Sequence, residues 1–392
     1  MCKLFDLTKI IIGCILSYVF DMTVWLFPRG TARGHRKKTV LIVRPDSAGD
    51  FVLWLDSAKE FKKIYPSDQY KITLLASQDW ADLAKFFFYW DDVMPINRKR
   101  FLSDCVYRWK FLRRIYENYY DVVVHPVFSR IIFLGDAIVR ISSAAERTGW
   151  DLCKDLNSLF LFSLRKRMAR SWYTRLISLD KSRLMELEKN AQFIRALGVK
   201  DFRPGIPKLA VDGISSNIAG EYFVIVPDAL WQGREWPLEN FVEIARRIQA
   251  IKGWKVVFAG SQRSFFFRIN EISHRIKRIN LIGKTKFLEY LKIIKGAKLV
   301  IANESSAVHI AAACNVPAFS ITGGGHWGRF VPYSSDIDDG RAPIPVNEFM
   351  DCYGCEWFCK FPRKDGPVRC IDKISIGKAW EVISNSKKFI SA

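Results

Sequence analysis

Residues 40–66, VLIVRPDSAGDFVLWLDSAKEFKKIYP, constrain the fold more than any other stretch of the chain. Residues 40–43 are an unbroken apolar run. Residues 44–50 are rich in small and acidic side chains. From Phe51 the apolar positions fall at Leu55, Ala58, Phe61 and Tyr65, and Pro66 follows. A short apolar run bounded by turn residues reads as a buried strand, and a spacing of three and four is one face of a helix, which proline stops. The unit is strand, tight loop, helix. Gly49 lets the backbone of the turn come close to a ligand, and Asp50 sits at the helix start, where a carboxylate meets free N–H groups. In an open α/β sheet such a loop lies at the carboxyl end of its strand, where ligands bind. Asp50 is therefore a helix cap or a working carboxylate, and this stretch alone leaves both readings open.

The alternation continues along the chain. Strands are expected at residues 70–76 and 121–125, helices at 80–88, 109–119 and 131–141, and residues 146–150 begin a further strand or loop. A helix over 184–197 is stopped by Gly198. Residues 201–220 carry Pro204, Gly205, Pro207, Gly213 and Gly220 and form the best linker. Beyond them, strands at 222–226, 254–259, 298–302 and 317–321 alternate with helices at 237–251, 265–276, 287–294 and 305–314. This rhythm gives mostly parallel sheets with helices on both faces. At 392 residues the chain has room for two such domains. They are set at residues 39–205 and 206–392, after an N-terminal segment of residues 1–38.

A formal net charge of +21 calls for an anionic partner: nucleic acid, anionic lipid or a phosphorylated substrate. Two stretches bear on the choice. Residues 10–27 are apolar except for Asp21 and a few small polar residues, and Arg29, Arg33, Arg36, Lys37 and Lys38 follow. A signal peptide would need a small-residue cleavage site, and Leu26-Phe27-Pro28-Arg29 is a poor one. A spanning helix would put Asp21 in lipid, and would keep the following domain on the cytoplasmic side. An interfacial, membrane-associated helix with its bases on anionic headgroups fits the mixture best; a buried helix is the remaining reading. Residues 157–180 carry Arg165, Lys166, Arg167, Arg170 and Arg175, with Phe160, Phe162, Trp172 and Tyr173 among them and no acid before Asp180. Interleaved bases and aromatics suit a membrane interface or an anionic acceptor. Single-stranded nucleic acid and a merely solvated basic face are the other readings.

The second half holds three blocks with chemistry in them. At residues 303–309, NESSAVH, a strand ends and a helix begins. Free N–H groups there, with the Ser305 and Ser306 hydroxyls, form an anion site, and Glu304 is placed to take sugar or ribose hydroxyls. The plain alternative is a serine cap with His309 packed under the sheet. The run Gly323, Gly324, Gly325 allows a backbone nest for phosphate, although the Gly-Lys-Ser/Thr of a phosphate-binding loop is absent. Arg234, just before Trp236-Pro237, is placed to reach a phosphate from the edge of a cleft.

In their order and spacing these blocks resemble glycosyltransferase family 9, the group of the lipopolysaccharide heptosyltransferases. The matching stretches are V-R-P-D-S-A-G-D with its helix ending in Y-P, R-E-W-P, L-I-G-K-T at 281–285, and N-E-S-S-A-V-H-I-A-A-A with the later V-P and glycines. They spread over residues 40–333. The resemblance implies a GT-B fold, two Rossmann-like domains facing a cleft. It implies inverting, metal-independent transfer from a nucleotide-diphosphate sugar, typically ADP-heptose. Asp50 falls on the family's proposed base and Arg234 on its phosphate ligand. Glu304, Ser305, Ser306 and His309 fall on its donor-binding block. Gln262, in the Gly260-Ser261-Gln262 loop, and Thr285 fall where the family meets the nucleoside and the phosphates. The chain departs from the pattern in Glu304 for Asp, Ser306 for Gly, Arg234 for Lys, and Ala229-Leu230-Trp231 for small hydroxyl residues. These changes bear on the donor sugar and base.

Of the nine cysteines, five are scattered, which fits a reducing compartment. The others, Cys352, Cys355, Cys359 and Cys370, have the spacing C-x2-C-x3-C-x10-C. Four thiolates with a tight leading pair suit a closed structural zinc or iron site; free thiols and disulfides are the competing readings. The sequence thus points to a glycosyltransferase attached to the cytoplasmic face of a membrane. Its donor is a nucleotide sugar, its acceptor a lipid-linked or lipopolysaccharide-type glycan, and catalysis needs no cofactor. The rivals are a non-catalytic nucleotide-sugar binder and a polyanion-binding protein. Asp50 and Glu304, both acids in the candidate sites, argue against nucleic acid as the partner.

Overall fold

The computed structural model describes residues 16–29, 37–151, 170–179, 184–209, 215–261, 263–274, 276–363 and 365–392. Phe160, Phe162, Arg165, Lys166, Arg167 and Gln262 lie outside the described residues, as do residues 10–15 of the apolar N-terminal run. Two compact units are present. The first takes its parts from Met1–Ser47, Ala58–Ser182 and Lys189–Phe202, the second from Ala48–Ser57, Arg183–Glu188 and Arg203–Ala392.

The opening stretch forms β1 (Lys38–Arg44) and α1 (Ala48–Ala58). The helix begins before Phe51 and stops at Ala58, with a separate turn over Phe61–Ile64. Asp50 therefore lies within the first turn of α1. Although β1 belongs to the first unit, α1 is grouped with the second up to Ser57.

In the first unit β2 (Tyr70–Ser77), β3 (Asp92–Ile96), β4 (Val122–His125), β5 (Glu146–Trp150) and β6 (Arg175–Ile177) join β1 in the order β3-β2-β1-β4-β5-β6. In the second, β7 (Tyr222–Val226), β8 (Lys255–Phe258), β9 (Arg278–Asn280), β10 (Val300–Asn303), β11 (Ala318–Ile321) and β12 (Ile344–Val346) run in the order β12-β11-β10-β7-β8-β9. Every pairing in both sheets is parallel. Each sheet therefore has the doubly wound order 3-2-1-4-5-6, whose switch point lies between its first and fourth strands. The four strands absent from the sequence reading, β3, β6, β9 and β12, are the four sheet edges. Central strands are covered on both faces and read as continuous apolar runs, whereas edge strands are half-covered and tolerate proline and charge. Pro95 in β3, Pro345 in β12, Arg175 in β6 and Arg278 in β9 illustrate the difference.

The helix expected over 109–119 is α2 (Cys105–Glu117), which begins earlier because Asp104 accepts the Tyr107 N–H at 2.9 Å as its cap. The helix expected over 131–141 is a π-helical turn, Ile132–Asp136, leading into α3 (Ala137–Ser142). At Gly135 any Cβ would stand 2.3 Å from the His125 ring, so the turn closes only on glycine.

The N-terminal segment docks on the first unit. Residues 16–22 are helical and a short turn covers Thr23–Leu26. Asp21 is fully buried, with the Arg108 guanidinium on both its oxygens at 2.6 Å and Arg140 at 2.5 Å. Arg29 donates to the carbonyls of Ser142 and Ser143. No helix among the described residues is long and apolar enough to cross a membrane.

Two aromatics expected on the basic interface patch are core residues instead. Trp172 stacks on Tyr18 with 6.1 Å between ring centres. The Tyr173 hydroxyl donates to Asp136 at 2.6 Å and lies 2.7 Å from His125 Nδ1. Both rings are buried in the first unit's core, where Trp172 closes a short helical turn and Tyr173 lies just ahead of β6, a placement that the run of neighbouring bases hid. Burial pushes the Tyr173 phenol well above its ordinary range and the His125 imidazole below its own. Arg170 remains exposed, 3.8 Å from Asp151.

Candidate functional site

The candidate site lies in the second unit, where the carboxyl ends of β7 and β10 meet at the switch point. Asn303, at the end of β10, ties the two strand ends together. Its amide donates to the Pro227 carbonyl at 2.5 Å and its oxygen accepts the Trp236 N–H at 3.1 Å. Asp228, just past β7, accepts the N–H and hydroxyl of Ser261 at 2.7 and 2.9 Å. Gly260 takes φ +146, and any Cβ there would stand 2.4 Å from the Asp228 carboxylate. Glycine is required at this crossing for both reasons.

Arg234 ends a short helical turn, Gln232–Arg234, and leads through Trp236 to α5 (Leu238–Lys252); α4 (Glu186–Ala196) precedes it in the chain. Its guanidinium donates to both the backbone carbonyl and Oε1 of Glu304, each at 2.7 Å. Glu304 is 4% exposed. Burial pushes its carboxyl above the usual range, against the pull of Arg234, His326 and Arg329. Among the described residues its second oxygen has no hydrogen-bond partner, and neither does the Ser305 hydroxyl.

After α6 (Arg263–Ile272) and α7 (Phe287–Lys295) comes α8 (Ser306–Ala313). Ser305 precedes it in extended backbone, φ −149 and ψ 177, and makes no side-chain cap bond. The helix start therefore presents uncapped N–H groups beside a guanidinium, which favours an anion. Ser306 approaches Tyr290, whose phenol is pushed well above its ordinary range by burial.

His309 packs beneath the start of α8. It is buried, stacked on Tyr333 at 5.9 Å, with Nδ1 2.8 Å from the Tyr333 hydroxyl. Burial, then Arg234, push its pKa down to about 3, so it is neutral and fills the floor beneath the helix start.

Asp50 reaches this region through α1. A Cβ at Gly49 would stand 3.4 Å from Ser306 Cα and 3.6 Å from His309. Leu53, one turn on, belongs to the apolar cluster of Leu187, Ala312 and Tyr333. Asp50 lies within electrostatic reach of Arg329, a residue the sequence reading missed. Burial opposes the Arg329 charge, but Glu186 at 3.1 Å, Asp50 and Glu356 hold the guanidinium above its usual range. The signal available was its place three residues after His326, on the loop leaving the glycine run. Thr285 lies on the loop between β9 and α7.

The glycine run is not the expected nest. None of Gly323, Gly324 and Gly325 takes a positive φ, which a nest needs at alternate residues. A Cβ at Gly323, Gly324 or Gly325 would stand 2.9, 2.3 or 2.2 Å from the rings of Trp357, Tyr353 and Trp357 respectively. The Gly324 and Gly325 carbonyls accept the N–H groups of Gly354 and Glu356 at 2.7 and 2.9 Å. The glycines are there so that the cysteine loop can lie on them.

Cys352, Cys355, Cys359 and Cys370 are all free thiols, which removes the disulfide reading. Cys355 sits between the two residues bonded to the glycine carbonyls, and Cys370 Sγ accepts the Gly324 N–H at 3.4 Å. Burial pushes the Cys355 and Cys370 thiols up. Among the described residues no three His, Cys, Asp or Glu side chains already stand in an arrangement that holds a metal ion.

The sequence profile of glycosyltransferase family 9 (heptosyltransferase) matches residues 108–342, more than half of the chain. Lipopolysaccharide heptosyltransferase 1 of Pseudomonas aeruginosa is 20% identical over 331 residues, 81% of this chain and 85% of that protein. Lipopolysaccharide heptosyltransferase 3 of Escherichia coli is 24% identical over 304 residues, 74% of this chain and 84% of that protein. Among solved structures, E. coli heptosyltransferase WaaC with ADP-2-deoxy-2-fluoro heptose has a TM-score of 0.62 at 16% identity, covering 88% of this chain and 99% of that one. At that identity the likeness is one of fold.

Proposed function

The chain belongs to glycosyltransferase family 9 and is a glycosyltransferase, and we propose that it moves heptose from ADP-heptose onto a lipopolysaccharide or related cell-envelope glycan, with inversion and without a catalytic metal. The observation that carries this reading is the Arg234–Glu304 pair beside the uncapped start of α8. It supplies positive potential for a diphosphate and, on the unpartnered oxygens of Glu304 and Ser305, acceptors for sugar hydroxyls. The lipopolysaccharide heptosyltransferases among the relatives support the choice of sugar and acceptor.

In this mechanism Asp50 takes the proton of the acceptor hydroxyl. The hydroxyl oxygen bonds to the anomeric carbon from the face opposite the leaving group. The bond from that carbon to the diphosphate oxygen breaks, and the departing ADP keeps its electron pair. Arg234 and the α8 N–H groups meet the charge that develops on it. Thr285 and Gln262 belong to the donor's nucleoside and phosphate contacts, and Ser306 and His309 shape the floor.

The test is incubation with ADP-heptose and a heptose-deficient lipopolysaccharide acceptor carried in anionic vesicles, with no added Mg2+ or Mn2+. ADP release and a product of inverted anomeric configuration are expected. Thermal stabilisation by ADP-heptose without turnover would leave the non-catalytic reading. The N-terminal segment and the bases at Arg165, Lys166, Arg167 and Arg170 are assigned to the cytoplasmic membrane surface and the anionic acceptor. Enzyme that stays wholly in the supernatant when the vesicles are sedimented removes that part.

The four late cysteines are assigned to a structural zinc or iron ion. Three of them share the loop that lies on Gly324 and Gly325, and the fourth is fixed to Gly324. Elemental analysis of the purified protein is expected to give one ion per chain, lost in Cys355→Ser and kept in Cys105→Ser; metal-free native protein leaves four free thiols.

A further inference from the structure

Five polar atoms around Arg234 are buried and have no hydrogen-bond partner among the described residues: Arg234 Nε, Glu304 Oε2, Ser305 Oγ, His326 Nδ1 and Trp357 Nε1. Buried polar atoms are paired in the great majority of cases, because an unpaired one has given up its bond to water for nothing. These five also belong to one place. Arg234 donates to Glu304 at 2.7 Å, its guanidinium carbon lies 5.1 Å from the centre of the Trp357 ring, and the His326 ring centre lies 5.7 Å from that of Trp357. Ser305 adjoins Glu304 in the chain.

The atoms sort by chemistry. The N–H groups of Arg234 and Trp357 can only donate, the Glu304 carboxylate accepts, and the Ser305 hydroxyl does either. His326 Nε2 faces the Glu356 carboxylate at 3.2 Å. That contact gives Nε2 its partner and leaves Nδ1 as the ring nitrogen still to be paired. The complement of this set is an anionic oxygen next to hydroxyl groups, as in a sugar diphosphate.

The backbone around Trp357 is held in an unusual form. Glu356 and Trp357 are consecutive left-handed residues, φ 50 and φ 63, and neither is glycine. Such pairs persist only where the surroundings enforce them, and they concentrate at ligand-binding sites. Here the Glu356 N–H is tied to the Gly325 carbonyl, and the indole fills the space over Gly323 and Gly325. The same arrangement turns the indole nitrogen into the buried cluster.

We infer that Trp357 and His326 are donor-binding residues: the Trp357 Nε1–H joins Arg234 Nε in donating to the diphosphate of the nucleotide sugar, and His326 Nδ1 forms a hydrogen bond with one of its hydroxyls. The inference deepens the donor-site reading above and rests on it. It gives the glycine run and the cysteine loop a shared purpose, since the loop carries the indole and the glycines make room for it.

The experiment compares the native chain with Trp357→Phe and His326→Phe. Both variants keep an aromatic ring for packing and remove the nitrogens. Binding of ADP and of ADP-heptose is measured by calorimetry, and melting temperature checks the fold. Trp357→Phe is expected to melt as the native protein does and to bind ADP about tenfold or more weakly, the loss of one hydrogen bond to a charged group. The indole N–H resonance missing from its nitrogen-15 spectrum is expected to shift in the native protein when ADP is added, which a packing role alone would not produce. His326→Phe is expected to weaken ADP-heptose more than ADP. Equal ADP affinity in native protein and Trp357→Phe, with an unmoved indole resonance, overturns the inference alone. Native protein that binds neither ligand overturns the donor-site reading and this inference with it.

Discussion

Replacing Asp50 by alanine or asparagine is expected to lower the transfer rate by a factor on the order of 10²–10⁴ and to leave ADP-heptose binding near native, the size of effect usual for removing a general base. The two readings of Asp50 separate on this measurement. A carboxylate in the first turn of a helix stabilises it by only about 0.3–1 kcal/mol through the free N–H groups and the helix dipole. A capping residue would therefore cost a small fall in melting temperature and almost none of the rate. Asparagine keeps the shape and much of the capping ability, so the asparagine variant isolates the lost charge. The local structure withstands the change, because Arg329 keeps its contact with Glu186 at 3.1 Å. Transfer at the native rate by both variants would end the base assignment and leave Asp50 as a cap.

The second large effect is on stability. Asp21→Ala is expected to destabilise the first unit by about 3–5 kcal/mol, because it strands two buried guanidinium groups. Arg108 holds both Asp21 oxygens at 2.6 Å, and Arg140 adds a third contact at 2.5 Å. Burial pushes the Arg140 pKa down, and Asp21 is the first of the groups that oppose the fall. Differential scanning calorimetry would show the unit melting roughly 10 °C lower. Removing all three charges by Asp21→Leu with Arg108→Met and Arg140→Met is expected to recover part of the loss, since a packed apolar replacement avoids the desolvation of the ions. If Asp21→Ala melts with the native protein, the N-terminal segment is not held through this cluster. The result also bears on how the segment meets a membrane. Leu16, Val19 and Leu26 are left exposed while Asp21 is turned inward, so the residue that made a spanning helix costly is the one that fastens the segment to protein.

Much of the architecture was legible in the residues. Seven of the eight central strands announce themselves because a strand covered on both faces is apolar along most of its length, whereas β5, ERTGW, reads equally as strand or loop. The loop after β1 and the helix start after β10 were legible for a related reason: glycine, serine and acids at a strand-to-helix junction have few other uses. The edge strands were not legible, since the physical constraint that writes the pattern is relaxed there. Trp172 and Tyr173 were misplaced because neighbouring bases in the sequence say nothing of which way the segment ahead of β6 turns its rings. The glycine run was misread because its composition is the same whether a phosphate or an indole lies against it.

Local chemistry, then, was determined by the sequence: the period of each element, the turns between them, the doubly wound class, and the acids and bases held at strand ends. Tertiary structure alone decided who partners whom. Arg234 and Glu304 are 70 residues apart, Asp21 and Arg108 are 87, and no periodicity connects them. The ionisation of His309 is likewise set by burial, which pushes its pKa down to about 3. Hydrogen-bond partners and ionisation states depend on what the fold brings within a few ångströms and on how much water it removes, and neither quantity is local in the chain.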